Sequence, residues 1–392
     1  MKKALITGGS HSELPLIESA KALGFYVVTT GANSEGLGHK AADKYVCGDF
    51  SDKEFVTALA EKEQVCAIIS GCNDFAYLSA AYACEKLGLS GHDSFKTSQL
   101  IHSKDKFREY TRSLGISTPR SVSCKTLDEV KAACGELGFP LVIKPVDLTG
   151  GKGVVICRSA EEAAKSAEKA FKVSRQSRIL AEEFIEGKSY STSVMIKDHR
   201  VIASVFGSEQ YYINKYLVSG ACTAADLSLE AKKSLCGDIE KIFEGLDLCD
   251  GLFHTQFILD KTDCPVIIDP CRRAPGDWYV KFAQYAAGAD FPQMIVSAEA
   301  GMEILAPDVS PKERYIARMC IMTDKNGTVK SLTIPEDIRE KIIDSVIWAR
   351  QGDRIEDFMK YKAGILLLEE KTPEELYRLL GSFHGRVGIE TL

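Results

Sequence analysis

The sequence predicts an α/β and α+β protein with a parallel-sheet domain at the N-terminus, a mostly antiparallel body and a small C-terminal domain. Over residues 1 to about 100, short apolar runs alternate with helically spaced segments, as in a parallel sheet flanked by helices. From residue 141 to 270 the apolar runs come in pairs separated by short turns, as in antiparallel hairpins. The length of 392 residues exceeds the ~250 to 300 residues that one core commonly serves, so we expect two or three domains.

The N-terminal part predicts a repeated unit of strand and helix. Its predicted strands are residues 3–7, 26–29 and 67–70, and its predicted helices are residues 14–23, 53–63 and 77–87. Parallel sheets bind their ligands beyond the carboxyl ends of the strands. In this chain those positions hold residues 8–13 and 70–74, which include Glu13 and Asp74.

The body begins with a helix over residues 104–114, which Gly115 and Pro119 end. The predicted strand pairs are 141–144 with 154–157, 190–197 with 201–208, and 252–260 with 265–269, and helices 161–171 and 229–244 lie between them. Strands 314–323 and 364–369 and a helix over 373–380 follow. We therefore expect domains at residues 1–103, 104–305 and 306–392.

Composition and charge restrict the class of protein. Hydrophobic residues at 45% and charged residues at 27% are typical of a globular enzyme. A net charge of −6 gives no positive field for a phosphate backbone, so we expect no nucleic-acid partner. The 13 cysteines form no C-x-x-C pair, which favours reduced thiols. Neither a signal-peptide core nor a run of ~18 apolar residues occurs, so we expect a cytoplasmic protein without a membrane partner.

The first candidate binding segment is FPLVIKPVDLTGGKGV, residues 139–154. A strand ends in Lys144, and the next turn presents Thr149, Gly150, Gly151, Lys152 and Gly153. Lys144 supplies a fixed positive charge, and glycines let backbone N–H groups approach phosphate oxygens closely. The segment is not the G-x-x-x-x-G-K-[ST] phosphate loop, because no Ser or Thr follows the lysine. Taken alone, a flexible turn explains it equally well.

The second candidate segment is AEEFIEGKSYSTSVMI, residues 181–196. It joins two predicted strands, and a hinge at this point could offer backbone groups to the edge of an adenine. Taken alone, a hairpin with an acidic solvent face is the simpler interpretation.

The third candidate segment is HTQFILDKTDCPVIIDPCRRAPGD, residues 254–277, which predicts two strands with Gln256 opposite Asp269. Gln256, Asp269 and Asp277 supply oxygen atoms, which are the ligands that Mg²⁺ prefers. Arg272 and Arg273 follow the carboxylate strand, where a guanidinium could neutralise a phosphoryl group in transfer. We expect one of these two arginines to form an ordinary ion pair.

Together, in this order and spacing, the segments resemble the ATP-grasp superfamily over nearly the whole chain. The family pattern is an Asp-Lys on a helix, a strand lysine, a Gly-rich lid, a Glu-Glu hinge and a final Glu-x-Asn-x-Arg strand. Its parts fall here at Asp105-Lys106, Lys144, residues 150–153, residues 182–185 and residues 269–273. The resemblance implies an ATP-grasp fold with a Rossmann-like N-terminal domain and a lid unit at about residues 118–187. The opening GGSHSELPLIESAKALG resembles the branch with biotin carboxylase, carbamoyl-phosphate synthetase and the purine glycinamide-ribotide ligases.

The resemblance also implies cofactors and roles for individual residues. ATP and Mg²⁺ (or Mn²⁺) are the expected cofactors. The expected ATP-binding residues are Lys106, Lys144, Thr149, Gly150, Gly151, Lys152, Gly153, Glu182, Glu183, Ile185 and Ser189, of which Glu182, Glu183 and Ile185 would frame the adenine. Gln256 and Asp269 would hold the metal, while Lys144 and Arg273 would be catalytic. Candidate substrate contacts are Glu13, Asp74 and Lys215.

Three departures from the family pattern lie around the expected metal. Gln256 and Asp269 stand where many members carry Glu, although a glutamine carbonyl oxygen can still bind Mg²⁺. Cys271 replaces an Asn, and a thiol is a poor magnesium ligand. The sequence therefore leaves open whether one or two metal ions bind and whether the protein turns over.

The expected activity is that of a carboxylate-amine ligase, which activates a carboxylate as an acyl phosphate and joins it to an amine. Its expected partners are these two small molecules and, by default for this branch, a second copy of the chain. One alternative is a bicarbonate-activating carboxylase or carbamoyl-phosphate-type enzyme. Another is a catalytically degenerate nucleotide-binding regulatory protein. A dinucleotide-dependent oxidoreductase is disfavoured because GGSHSE lacks the third glycine of G-x-G-x-x-G.

Overall fold

A computed structural model of the protein describes residues 2–148, 151, 153–215, 217–307 and 313–392. Its N-terminal elements are β1 (Lys3–Thr7), α1 (Leu14–Ala22), β2 (Tyr26–Gly31), α2 (Leu37–Ala41), β3 (Lys44–Cys47), α3 (Lys53–Glu63), β4 (Ala67–Ser70), α4 (Asp74–Leu87) and α5 (Phe95–Ile101). The four strands form a parallel sheet in the order β3-β2-β1-β4, which confirms the predicted parallel sheet.

Alternation along β1 divides the N-terminal core. Leu5 packs with α3 and α4 on one face of the sheet. Ala4 and Ile6 point to the other face, where they join a cluster that continues into the body of the protein. The N-terminal sheet is therefore packed directly against the body.

The middle of the chain contributes two antiparallel sheets. Its elements are α6 (Lys104–Ser113), β5 (Ser121–Cys124), α7 (Leu127–Leu137), β6 (Leu141–Pro145), β7 (Val155–Cys157), α8 (Ala160–Val173), β8 (Ile179–Glu183), β9 (Gly187–Lys197), β10 (Arg200–Tyr211), β11 (Val218–Thr223), α9 (Leu229–Leu246), β12 (Gly251–Asp260), β13 (Pro265–Cys271), α10 (Tyr279–Ala287) and α11 (Phe291–Glu299). The smaller sheet has the order β5-β8-β6-β7 and is covered by α7 and α8. The three predicted strand pairs form the hairpins β6–β7, β9–β10 and β12–β13 and are confirmed.

The C-terminal elements are β14 (Tyr315–Ile321), β15 (Gly327–Thr333), α12 (Glu336–Arg339), β16 (Ile342–Ile347), β17 (Arg354–Ile355), β18 (Gly364–Glu370), α13 (Pro373–Arg386) and β19 (Gly388–Thr391). Three of these strands complete an eight-stranded sheet in the order β13-β12-β9-β10-β11-β14-β18-β16. This sheet crosses the predicted boundary at residues 305 and 306. The predicted domain limits stay predictions.

The eight-stranded sheet is covered on both faces. Residues of α9 such as Leu235 and Phe243 pack on one face, and residues of α10 and α11 such as Phe282 and Ile295 pack on the other. None of the helices in the described ranges has the length and apolarity that a bilayer span requires.

Candidate functional site

A cavity with a volume of about 400 Å³ lies between the four-stranded sheet β5-β8-β6-β7 and the eight-stranded sheet. We call it the larger cavity. Its polar lining includes Lys104, Lys144, Glu182, Gln256, Asp269 and Asp277. Its apolar lining includes Val142, Ile156, Ile185, Leu217 and Ile258. One region of the wall can therefore hold a flat apolar ring, and another can hold anionic and metal-binding groups.

Lys144 lies near the end of β6 and is 5% exposed. Its Nζ lies 2.6 Å from one carboxylate oxygen of Glu182, and Nε of Arg108 lies 2.9 Å from the other. Burial lowers the pKa of Lys144, and the charge of Glu182 acts in the opposite direction. Burial alone would raise the pKa of Glu182, but Arg108 and Lys144 hold it below its ordinary value. One carboxylate thus holds two buried cations at the cavity wall.

A second lysine, Lys104, is the first residue of α6 and is 7% exposed. Its Nζ lies 2.8 Å from Oδ1 of Asp269. Lys106 is exposed and does not line the cavity. Residues 104 and 108 share a helix face, whereas residue 106 is rotated about 200° away. The structure therefore places Lys104, rather than the expected Lys106, at the wall of the larger cavity.

The hinge after β8 places Phe184, Ile185 and Ser189 on the cavity wall. The side chain of Glu183 accepts hydrogen bonds from the backbone N of Arg120 at 2.8 Å and from its Nε at 2.7 Å. Since Glu182 is also ion-paired, the side chains of both glutamates bind protein cations. An adenine at this wall would therefore meet the hinge backbone and Ile185 rather than two free carboxylates.

Part of the predicted glycine lid can be described. Gly151 lines the larger cavity with φ +71°, and Gly153 has φ +75°. A Cβ atom on Gly153 would lie 2.9 Å from Cγ of Pro145, so this turn requires glycine. The expected ligands Thr149, Gly150 and Lys152 lie outside the described residues.

The expected metal ligands face each other across the β12–β13 hairpin, where Gln256 pairs with Asp269. Nε2 of Gln256 donates to both carboxylate oxygens of Glu209 at 2.8 Å, which leaves its Oε1 as an acceptor. Burial alone would raise the pKa of Asp269, but Lys104 and Lys144 lower it, so Asp269 is ionised. Burial raises the pKa of Cys271 to about 12, so it stays a neutral thiol.

These donors fit one Mg²⁺ ion. A carboxylate oxygen of Asp269 and Oε1 of Gln256 are both hard oxygen ligands, and phosphate oxygens would complete the coordination. Within the described ranges, no group of three or more His, Cys, Asp or Glu side chains could hold a metal ion. A metal at this position would therefore depend on the phosphates that it binds.

A second cavity of about 160 Å³ adjoins the first and shares Val218, Gln256, Asp269 and Asp277 with it. We call it the smaller cavity. Arg273 lines it and donates from Nε to Oδ1 of Asp74 at 2.7 Å. Burial alone would lower the pKa of Arg273, but the carboxylate of Asp74 raises it, so the guanidinium is charged. Burial and the charge of Arg273 lower the pKa of His254 to about 3, so His254 is neutral.

The two arginines after β13 have different environments. Arg272 donates from Nε to Oδ2 of Asp93 at 2.8 Å and is 4% exposed. Arg273 instead faces the smaller cavity. Arg272 is thus the arginine in a structural ion pair, although this pair is buried rather than at the surface.

Comparison with known proteins gives the same architecture. Residues 102–213 match the model of the phosphoribosylglycinamide synthetase ATP-grasp (A) domain. Over its full length the chain superposes on 99% of the L-amino acid ligase of Bacillus licheniformis, with a TM-score of 0.83 and 20% sequence identity. The chain has the ATP-grasp fold.

Two curated relatives are similar to parts of this sequence. Alanine–anticapsin ligase of Bacillus subtilis strain 168 is 24% identical over 297 residues, which are 70% of this chain and 62% of that protein. Formate-dependent phosphoribosylglycinamide formyltransferase of Wolinella succinogenes is 30% identical over 186 residues, which are 47% of this chain and 48% of that protein. The matches thus span about half to three fifths of these relatives. ATP and Mg²⁺ are the cofactors of ATP-grasp ligases, as the sequence predicts.

The three residues expected to contact substrate lie in different places. The carboxylate of Glu13 accepts hydrogen bonds from N and Oγ of Ser10, both at 2.7 Å, and from N of Cys72 at 2.9 Å. Asp74 is paired with Arg273. Glu13 thus joins two loops, whereas Asp74 orients an arginine and lines the smaller cavity. Lys215 lines the larger cavity. The substrate contacts expected of these three residues stay predictions.

Two charged residues that line the smaller cavity were not predicted from the sequence. Glu209 is in β10, and Arg318 is in the middle of β14. Arg318 interrupts the apolar strand YIARMCI, and a charged residue at such a position is a signal of function. Glu209 gives a weaker signal because it lies among other polar residues.

Proposed function

We propose that this protein is an ATP- and magnesium-dependent ligase that activates a carboxylate as an acyl phosphate and couples it to an amine. The observation that carries the proposal is the larger cavity, in which an apolar wall adjoins Lys104, Lys144 and Asp269. A nucleotide fits this division, with its base against Ile156, Ile185 and the hinge and its phosphates against the lysines.

The proposed reaction has two steps. An oxygen of the substrate carboxylate attacks the γ-phosphorus of ATP, the bond from that phosphorus to the β–γ bridging oxygen breaks, and ADP leaves. The amine nitrogen then attacks the acyl carbon, inorganic phosphate leaves, and the nitrogen loses a proton to solvent. Positioning and charge neutralisation supply most of such catalysis, so a protein nucleophile is not required.

The roles of the cavity residues follow from their charges. Lys104 and Lys144 hold the phosphates, and each already has a carboxylate partner that fixes its position. Arg273, oriented by Asp74, neutralises the transferred phosphoryl group. Asp269 and Gln256 would hold Mg²⁺, which supplies Lewis-acid polarisation of phosphoryl oxygens when bound. Gly151 lines the larger cavity and belongs to the turn that we expect to act as a lid and exclude water.

The sharpest test compares two lysines. Lys144→Met removes a buried cation from the cavity, and Lys106→Met removes an exposed one from the same protein. We expect Lys144→Met to lower amine-dependent ADP release by about 10²-fold or more, because a fixed charge on the transferred group is lost. Lys106→Met should retain the wild-type rate. Steady-state ADP release with pools of carboxylic acids and amines measures both variants.

Folding must be checked by circular dichroism, because Lys144 is paired with Glu182. Wild-type turnover in a folded Lys144→Met variant would contradict the proposal. ADP release that requires bicarbonate and no organic acid would replace it with a carboxylase or carbamoyl-phosphate-type reaction. Nucleotide binding without ADP release under any substrate pool would indicate a regulatory protein. A homodimer and a cytoplasmic location stay predictions.

A further inference from the structure

His102 is a buried histidine directly after α5, and it contacts the segment that carries Arg273. Its side chain is 1% exposed. Its Nε2 accepts a hydrogen bond from the backbone N of Arg272 at 3.4 Å. A backbone N–H can only donate, so Nε2 carries no proton and the ring proton is on Nδ1. The geometry thus fixes which nitrogen of His102 can donate.

That nitrogen, Nδ1 of His102, faces the carboxylate that orients Arg273. It lies 3.6 Å from Oδ1 of Asp74, the same oxygen that accepts from Nε of Arg273 at 2.7 Å. Nδ1 is fully buried and has no hydrogen-bond partner among the described residues. A buried N–H without a partner is costly, so a small movement of the two side chains toward each other is favoured. Burial alone would raise the pKa of Asp74, but Arg273 and His102 lower it, so the carboxylate is ionised and can accept.

The ring of His102 is held in this orientation by an aromatic neighbour. It stacks on Tyr77, with ring centroids 5.0 Å apart and planes 23° apart. The hydroxyl of Tyr77 donates to Oδ2 of Asp93 at 3.0 Å, and Asp93 is the ion-pair partner of Arg272. Residues 74–102 therefore supply partners for both arginines that follow β13.

We propose that His102 is a positioning residue for Arg273. Its Nδ1 donates to Asp74, its Nε2 fixes the backbone of Arg272, and Asp74 in turn holds the guanidinium of Arg273 toward the smaller cavity. The inference rests on the proposed function, in which Arg273 neutralises the transferred phosphoryl group. His102 lines neither cavity, so it affects the reaction only through the residues that it contacts.

Two amide substitutions separate the two nitrogens of His102. The amide of glutamine reaches the position of Nε2, whereas the amide of asparagine reaches the position of Nδ1. We expect His102→Gln to lower kcat for ADP release about tenfold, because Asp74 loses its donor, and His102→Asn to keep kcat within about threefold of wild type. Circular dichroism checks that both variants fold. Equal losses of kcat in the two folded variants would show a packing role alone and overturn the inference.

Nucleotide binding should respond differently from turnover. Arg273 acts on the phosphoryl group in transfer, so the affinity for Mg²⁺ and a non-hydrolysable ATP analogue should change less than about twofold in His102→Gln. Calorimetry on the full-length protein measures this affinity. A tenfold loss of affinity with unchanged kcat would contradict the proposed role.

His92 provides a matched control because it also contacts the ring of Tyr77, with ring centroids 5.4 Å apart, and its side chain is likewise 1% exposed. Its Nε2 lies 2.8 Å from the backbone oxygen of Ile68. The amide of glutamine can keep that hydrogen bond, so His92→Gln should retain the wild-type kcat. A loss of kcat in His92→Gln as large as that in His102→Gln would indicate a general effect of buried histidines and overturn the inference.

A double variant tests whether His102 acts through Asp74. In an Asp74→Asn background, His102→Gln should lower kcat by less than about twofold, because the link that it removes is already broken. A further tenfold loss in that background would mean that the two residues act independently, contrary to the proposal.

A measurement that needs no turnover separates this inference from the proposed function. The Nε–H of Arg273 can be identified in a nitrogen-edited proton spectrum by its disappearance in Arg273→Lys. We expect it to exchange with water at least about fivefold faster in His102→Gln than in wild type, because a loosely held Asp74 protects it less. Unchanged exchange would overturn the positioning role. Absence of ADP release from the wild-type protein under any substrate pool would instead overturn the proposed function, and the exchange rate would still decide the role of His102.

Discussion

The two adjoining cavities differ in how their charges are satisfied. In the larger cavity, Lys104 and Lys144 each contact a carboxylate, so the cationic wall is assembled without a ligand. In the smaller cavity, Arg318 and Glu209 form no direct ion pair among the described residues, and their hydrogen bonds go to neutral groups. The difference shows that direct ion pairs fix the geometry of the larger cavity, whereas neutral hydrogen bonds position these two charges of the smaller one.

We expect the largest effect, a loss of stability, from removing the carboxylate that two buried cations share. Glu182→Gln leaves Arg108 and Lys144 without their shared carboxylate in a buried position. We expect this variant to lose about 3–5 kcal/mol of unfolding free energy, because removing one partner of a buried ion pair leaves uncompensated charge. Urea denaturation followed by circular dichroism measures the loss.

The adjacent glutamate provides a matched control. Glu183 pairs with Arg120, whose side chain is 62% exposed, so solvent already screens this interaction. Glu183→Gln should therefore cost far less stability than Glu182→Gln. Equal losses in the two variants would contradict the view that the wall of the larger cavity is held by buried pairing.

We expect a smaller effect, on Mg²⁺ affinity, from a substitution at Cys271. Cys271→Asn places an amide oxygen on the strand that carries Asp269 and should raise the Mg²⁺ affinity of the nucleotide complex by up to about tenfold. The Mg²⁺ dependence of ADP release measures this change. Cys66→Asn, at an exposed position, is the control. An unchanged Mg²⁺ dependence in Cys271→Asn would place the metal away from residue 271.

Much of the fold could be predicted because its signals are local. The β12–β13 hairpin is one example, since alternation and a short turn predicted that Gln256 would face Asp269, and the strand register places them opposite each other. The strand that carries Lys144 and the turn with Gly151 and Gly153 also follow from neighbouring residues. Local patterning was enough to locate the larger cavity.

The residues that could not be predicted depend on long-range packing. The spacing of α6 allowed either Lys104 or Lys106 to face inward, and only the packing of Phe107 and Arg108 decides which one does. Glu209 and Arg318 meet because β10, β11 and β14 are neighbours in the eight-stranded sheet, although the two residues are far apart in sequence. Among the C-terminal elements, short strands such as β17 carry too few residues to show a period.

A crystal structure of the protein with Mg²⁺ and a non-hydrolysable ATP analogue tests the central claim most directly. We predict that the base lies between Ile156 and Ile185, and that the phosphates contact Lys104 and Lys144 with Mg²⁺ on Asp269. A nucleotide bound elsewhere, with Lys144 and Asp269 untouched, would contradict the assignment of the larger cavity and the ligase function that depends on it.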